Sequence, residues 1–223
     1  MKILHSWSSG KDSAWALHVL NQQHPGRVGA LLTTVNEAMD RVAMHGVRRE
    51  LLEAQARAAG LPLHIVPIPH PCPNEIYEER MRSAIETAVA DGFTHAAFGD
   101  LFLVDIRRYR EERLTGSGLE PLFPVWEIPT RELAESMIDS GLRARIACVD
   151  MRVLDASFAG REFDRALLDD LPSHVDPCGE NGEFHTCVYA GPMFHTPLTI
   201  ESGERVTREP FSWVDLKLVR SDT

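Results

Sequence analysis

The chain has 223 residues, 43% hydrophobic and 25% charged, a composition that excludes disordered and collagen-like chains and a length sufficient to bury its own core. It has no run of about 18 apolar residues, and the opening MKILHSWSSGKDS turns polar too early for a secretory signal, so a cytoplasmic protein with no membrane span is expected. A formal charge of −10 opposes general nucleic-acid binding, and the four cysteines, Cys72, Cys148, Cys178 and Cys187, lack a C-x-x-C pair and point to reduced thiols.

In chain order, the first half alternates short apolar runs with helical patterns, as βαβ units on a parallel sheet do. Strands are expected at 2–5, 28–35, 63–67, 95–99 and 122–125, with helices at 13–22, 48–59, 75–91 and 104–114. Gly60 and Gly92 stand where two of those helices end, as left-handed caps do. The segment PIPHPCP, with Pro67, Pro69, Pro71 and Pro73, is expected to run as an extended surface connection. On the 104–114 helix, Arg107, Arg110 and Arg113 recur every three residues and are the best candidate for a local basic patch, diluted by Glu111 and Glu112.

After Trp126 the pattern changes. PTRELAESMIDSG reads as a helix starting at Pro129 or Thr130 and ending at Gly141, and RIACV follows as a strand. Turn signals at 179–182, 191–192 and 202–203 separate alternating segments such as EFHTCVY and FSWVDLKLV, which read as antiparallel strands. The expected fold is α/β. A doubly wound, Rossmann-like parallel sheet over 1–127 binds nucleotide beyond the C-terminal strand ends, and a smaller α+β subdomain over 128–223 carries the substrate side.

The chemistry is concentrated in S-S-G-K-D-S, which follows the first strand and runs straight into the helix AWALHVL. The N–H groups of a first helical turn lack intrahelical partners and, with the helix dipole, attract an anion. Gly10 allows close approach, Lys11 adds charge, Ser8, Ser9 and Ser13 add hydroxyls, and Asp12 can cap the helix or help hold Mg²⁺. Without a ligand, the same residues would be a serine-rich helix start. His5 stands where G-x-x-x-x-G-K-[ST] needs its first glycine, so this is not that P-loop.

S-S-G-K-D-S resembles the S-G-G-x-D-S signature of the PP-loop ATP pyrophosphatases, of the adenine nucleotide alpha hydrolase type. Ser9 replaces the first glycine; a positive φ there would cost on the order of 1 kcal/mol. The segment GENGEFHT, 179–186, is similar to the G-E-G-G-E-[YF]-[EH]-T motif of the diphthine–ammonia ligase family, and THAAFGD, 94–100, stands where that family's fourth strand ends. The likeness covers nearly the whole chain and is to the short form of the family. By itself GENGE reads as a hairpin turn with solvated acids. The resemblance implies that Glu180 or Glu183 coordinates Mg²⁺, positions ammonia or acts as general base.

The resemblance also implies that Thr33 and Thr34 help hold adenine, that His45 in AMHGVRRE faces substrate or phosphates, and that Gly99 and Asp100 end the fourth strand at the crevice. There Asp100 would bind metal or ribose. His185 and Cys187 have no second pair with which to bind zinc. The implied reaction uses ATP and Mg²⁺: the loop grips the β- and γ-phosphates, a substrate carboxylate attacks the α-phosphorus, and free ammonia converts the acyl-adenylate to an amide. The acceptor is a carboxylate-bearing group such as a modified protein side chain, and homo-oligomerisation stays open. The rivals are a PP-loop tRNA-modifying enzyme, using the arginines and Cys148 or Cys178, and a nucleotide-binding module without catalysis.

Overall fold

The computed structural model describes residues 1–43 and 46–219. The first half runs β1 (Ile3–Ser6), α1 (Lys11–Gln23), β2 (Val28–Asn36), β3 (Arg41–Val42), α2 (Arg49–Ala59), β4 (Leu63–Ile68), α3 (Asn74–Ala90), β5 (His95–Ala97), α4 (Val104–Leu114) and β6 (Glu120–Leu122). The second half adds α5 (Thr130–Asp139), β7 (Arg143–Asp150), α6 (Arg165–Asp170), β8 (Phe184–Ala190), β9 (Ile200–Arg208) and β10 (Phe211–Leu218).

β1 pairs in parallel with β2 on one side and with β5 on the other; β4 extends the sheet beyond β2, and β6 extends it beyond β5. Only the short β3 is antiparallel, on the end of β2. The chain therefore builds outward from β1 in one direction and then crosses to build in the other. That reversal opens a crevice at the C-terminal end of β1, where such sheets take ligands. The expected Rossmann-like parallel sheet is present, and S-S-G-K-D-S begins at this crevice.

β7 to β10 form a separate antiparallel sheet in the order β8-β7-β10-β9. Side chains alternate along β1: Ile3 enters a large core, whereas Leu4 joins a smaller cluster with Phe93, Ala96, Leu114 and Leu119. The large core continues into Ile146, Val149, Phe184 and Val188 of the second sheet. α1 contacts both β2 and β8 and buries Ala14, Trp15, Ala16 and Leu17 in succession, which is why its apolar residues do not confine themselves to one stripe. In α3 only Ala88 is fully buried and in α4 only Leu114; both join the smaller cluster on the sheet, and the rest of each helix stays partly or fully exposed.

Four sequence expectations need correction. Pro67 pairs opposite Val35, within the expected strand, and β4 runs on to Ile68, so the extended connection starts only beyond it; an edge strand tolerates proline because it needs ladder bonds on one side only. The last parallel strand is 120–122, because residues 124–127 form a turn in which Glu127 takes φ 59. Ser202 and Gly203 lie inside β9, whose hairpin with β10 turns instead at Glu209 and Pro210. Finally, the arginines of α4 form no open basic patch. Arg107 pairs with Glu111, Arg110 with Asp100 and Arg113 with Glu78, and each guanidinium also lies over an aromatic ring. Among the described residues no helix is long and apolar enough to cross a membrane.

Candidate functional site

The loop between β1 and α1 is held from all sides. Ser8 and Ser13 brace it internally: the hydroxyls lie 3.0 Å apart, Ser13 Oγ accepts the Ser8 N–H at 3.2 Å, and Ser8 Oγ accepts the Gly10 N–H at 3.3 Å. Ser9 has φ 70, the left-handed region, and is fully buried, with its Oγ unpartnered among the described residues. From α2, Gln55 Nε2 donates to Ser9 O at 3.2 Å and to Val188 O at 2.7 Å, while its Oε1 accepts Trp7 Nε1–H at 3.0 Å. The second sheet grips the loop directly, through Val188 N–H on Ser9 O at 2.9 Å and Thr186 Oγ1 accepting the Lys11 N–H at 3.0 Å.

Beneath the loop, His5 is fully buried with Nε2 2.7 Å from Ser13 O, and burial pushes its pKa down to about 4, so the ring is neutral at pH 7. Gly99, just past β5, has to be glycine: a Cβ would stand 2.9 Å from Asp12 C, Asp12 O and Ser13 N. That contact presses the β5 end against the first turn of α1. The Asp12 and Ser13 N–H groups belong to that first turn and have no intrahelical acceptor.

Lys11 is 2% exposed, and its ammonium donates to Asp12 Oδ2 at 2.9 Å and to Cys178 O, with the Phe163 and Phe184 rings 5.4 and 5.3 Å away. Burial opposes this charge, but the Asp12 carboxylate beside it holds the pKa above the usual lysine value. The Asp12 carboxyl is pushed up by burial, against the pull of Lys11, and its Oδ1 accepts no hydrogen bond from another of the described residues. Lys11 thus ties the loop to the 176–183 turn.

In that turn the two glutamates diverge. Glu180 accepts the Leu101 N–H at 2.8 Å and lines a 200 Å³ cavity together with Ser8, Gly10, Asp12, Asp100 and Thr186. Burial raises its pKa to about 7, partly offset by the Leu101 N–H and reinforced by Asp12. Glu183 is 5% exposed and is not among the cavity residues; its Oε1 accepts Asp176 N–H and Asn181 Nδ2–H, both at 3.0 Å, so it braces the turn. Asp176 Oδ1 adds bonds from Cys178 N–H at 2.9 Å and Glu180 N–H at 3.2 Å.

Asp100 is 13% exposed and gives both carboxylate oxygens to Arg110, at 2.6 and 3.1 Å. Among the described residues no group of three or more His, Cys, Asp or Glu side chains is disposed to hold a metal ion. A second cavity, of 520 Å³, adjoins the first at Ser6, Ser8 and Arg110 and is walled by Trp7, Thr33, Thr34, Val42, Ile68 and Phe98. Thr33 Oγ1 donates to Trp7 O at 2.7 Å, which leaves backbone and apolar surface as its main lining here. His45 lies outside the described residues.

Gln55 and Thr186 were not singled out from sequence. Gln55 had a signal, a polar residue on the otherwise apolar buried face of α2. Cys148 and Cys187 are buried, and burial pushes both thiols up to about 12; Cys178 is pushed up as well, so none is poised as a thiolate.

Comparison with known proteins agrees with this layout. Residues 1–119 match the family model described as diphthamide synthase N-terminal domain, and residues 129–220 match diphthamide synthase C-terminal domain. The diphthine–ammonia ligase of Bos taurus is 29% identical over 124 residues, which cover 53% of this chain. The match spans 46% of the bovine protein, less than half its length. With both regions matched in order along one chain, the protein belongs to the diphthamide synthase family.

Proposed function

We propose that the protein is an ATP-dependent ligase that adenylates a substrate carboxylate and converts it to an amide with ammonia. The observation that carries this reading is the rigid, turn-of-helix loop 8–13 facing Glu180 across one small polar cavity, with a larger apolar cavity adjoining it. Adenosine would occupy the apolar cavity against Thr33 and Thr34, and the β- and γ-phosphates would lie on the N–H groups of the first turn of α1, at Asp12 and Ser13, and on the Ser8 hydroxyl. The α-phosphorus would then stand where the two cavities meet.

A carboxylate oxygen attacks the α-phosphorus, the bond to the α,β-bridging oxygen breaks, and pyrophosphate departs with that electron pair. Ammonia then attacks the acyl carbon, AMP leaves with the carbon–oxygen bonding pair, and Glu180 takes the proton lost by nitrogen. A carboxyl titrating near 7 suits that role at neutral pH. Mg²⁺, when bound with the phosphates, would supply positive charge to the departing oxygens. The unpartnered Asp12 Oδ1 fits it, whereas Asp100 would first have to release Arg110. Division of the chain into a nucleotide part, 1–127, and a substrate part, 128–223, belongs to the same proposal, as does a cytoplasmic setting for the four free thiols.

No observation favours the tRNA-modifying rival: the α4 arginines are paired and three of the four thiols are buried. The test is incubation with ATP, Mg²⁺, ammonium and a diphthine-bearing acceptor. AMP, pyrophosphate and amide formed in equal amounts are expected; ATP bound but unchanged would support the non-catalytic module instead.

A further inference from the structure

A third cavity, of 440 Å³, lies between α3 and α4 and is lined by Tyr77, Met81, Ile85, Phe98 and Tyr109. α3 and α4 each bury only one residue fully, Ala88 and Leu114, which leaves the side chains between them partly exposed. Among the described residues, Arg110 is the one that lines this cavity, the loop cavity and the 520 Å³ cavity alike. Its guanidinium lies 4.5 Å from the Phe98 ring centroid, which orients the plane, and two of its N–H groups grip Asp100 in a two-point carboxylate contact. The other three donors of the guanidinium have no partner among the described residues. The neighbouring arginines differ: Arg107 is engaged by Glu111, Phe123 and Trp126, and Arg113 by Glu78 and Tyr109, and neither lines the loop cavity.

We propose that Arg110 is the acceptor-binding residue, receiving the substrate carboxylate that enters through the α3–α4 cavity and presenting it to the α-phosphorus. Asp100 is its resting partner, and its carboxylate offsets the guanidinium charge that holds the substrate on the remaining donors. The geometry of that resting pair is the geometry an external carboxylate would adopt, and the junction of the three cavities is where the α-phosphate stands in the reading above, on which this inference rests. Asp100 is then a gate on acceptor affinity and not a metal ligand.

Opposite signs for the two partners distinguish this role from a structural one. Removing a two-point charged hydrogen bond weakens binding by about 10- to 100-fold. Arg110→Gln is expected to raise the KM for a diphthine-bearing acceptor by that factor with ATP affinity within about two-fold, whereas Asp100→Asn, which frees the guanidinium, lowers the acceptor KM. Binding of the same acceptor in the presence of α,β-methylene ATP is measured in parallel, without turnover. Acceptor binding that follows this order supports the inference even if wild-type protein releases no pyrophosphate, a result that would remove the ligase reading alone. Unchanged acceptor binding in both variants, or a ten-fold loss of ATP affinity in Arg110→Gln with the acceptor unaffected, overturns it, the second by making Arg110 a phosphate contact.

Discussion

Replacing Ser9 with glycine should stabilise the protein. Ser9 holds φ 70, a region in which a side chain costs about 1–2 kcal/mol, and its fully buried hydroxyl has no partner among the described residues, adding a desolvation cost of about 1–3 kcal/mol. Against this, glycine loses about 0.5–1 kcal/mol more backbone entropy on folding, and removal of the side chain leaves a small void. The net expectation is about 1 kcal/mol in favour of Ser9→Gly, which for a chain of this size is a rise of about 2–4 °C in Tm. Ser9→Ala separates the contributions: it keeps the strained φ and removes only the hydroxyl, so its gain should be the smaller. Thermal melts of the three proteins, with ATP titrated into each, provide the assay. ATP affinity should be unchanged or higher in Ser9→Gly, because the backbone atoms that line the loop are kept. A fall in Tm, or a ten-fold loss of ATP affinity, would refute the reasoning and make the Ser9 hydroxyl a phosphate ligand.

Asp12→Ala should cut pyrophosphate release by about 10²-fold, read by a coupled pyrophosphate assay, and both Asp12→Ala and Lys11→Met should lower Tm, since each leaves one member of the pair without its partner, a loss of about 3–5 kcal/mol. Gly99→Ala drives a Cβ to within 2.9 Å of the Asp12 and Ser13 backbone and should weaken ATP binding by more than ten-fold in calorimetry; near-normal affinity would show that the first turn of α1 can shift freely. Glu183→Gln loosens the 176–183 turn and should lower amide formation while leaving ATP affinity within a few-fold. The Glu180 carboxyl is raised to about 7 from 4.5, so as a base it becomes competent as pH rises through about 7, and Glu180→Gln should abolish that limb of the product-formation profile. The same shift lowers folding stability as pH rises between 4.5 and about 7, and the variant should be flatter across that window in denaturant melts.

What the sequence disclosed was local. The loop 8–13 was legible because a short apolar strand, a polar glycine turn and a helical pattern stand in immediate succession, and the parallel sheet followed from the alternation that repeats downstream. The positive φ of Ser9 was also foreseeable, since the family loop has glycine there. The last parallel strand was misplaced because Phe123, Val125 and Trp126 are apolar yet belong to or flank a turn, where Val125 is fully buried without pairing in the sheet. Lys11 reads as a phosphate contact in sequence; of its two partners in the structure, Asp12 is its neighbour, whereas Cys178 O comes from the far end of the chain and leaves no trace in the spacing around position 11. Glu180 and Glu183 were equivalent in sequence. Left-handed glycines at 179 and 182, with φ 67 and 87, turn the backbone so that one glutamate reaches Leu101 N–H at the cavity and the other folds onto its own turn.

The fate of Lys11 explains why the two halves of the chain belong to one site. A loop that binds phosphates through main-chain groups works best when those groups are oriented before the nucleotide arrives. In this protein the orientation comes largely from outside the loop: Gln55 and Gly99 act from the first sheet's side, and Val188 N–H, Thr186 Oγ1 and Cys178 O act from the second. The last three all lie within 129–220, the region matching the C-terminal family model. Residues 1–119 supply the loop, its helix dipole, the Gln55 contact to Ser9 O and the Asp12 carboxylate beside Lys11, but the Val188 contact to Ser9 O, the acceptor of the Lys11 N–H and the Cys178 carbonyl on the Lys11 ammonium come from the second half. Because Glu180 arrives on the same turn that holds the Lys11 ammonium, bracing the phosphate loop and delivering a carboxyl to its cavity are one structural event. Under the proposed ligase reaction, a loosened turn would therefore disturb both half-reactions, but unequally: the loop keeps its own serine network and Gln55, whereas Glu180 loses the position that places it opposite them.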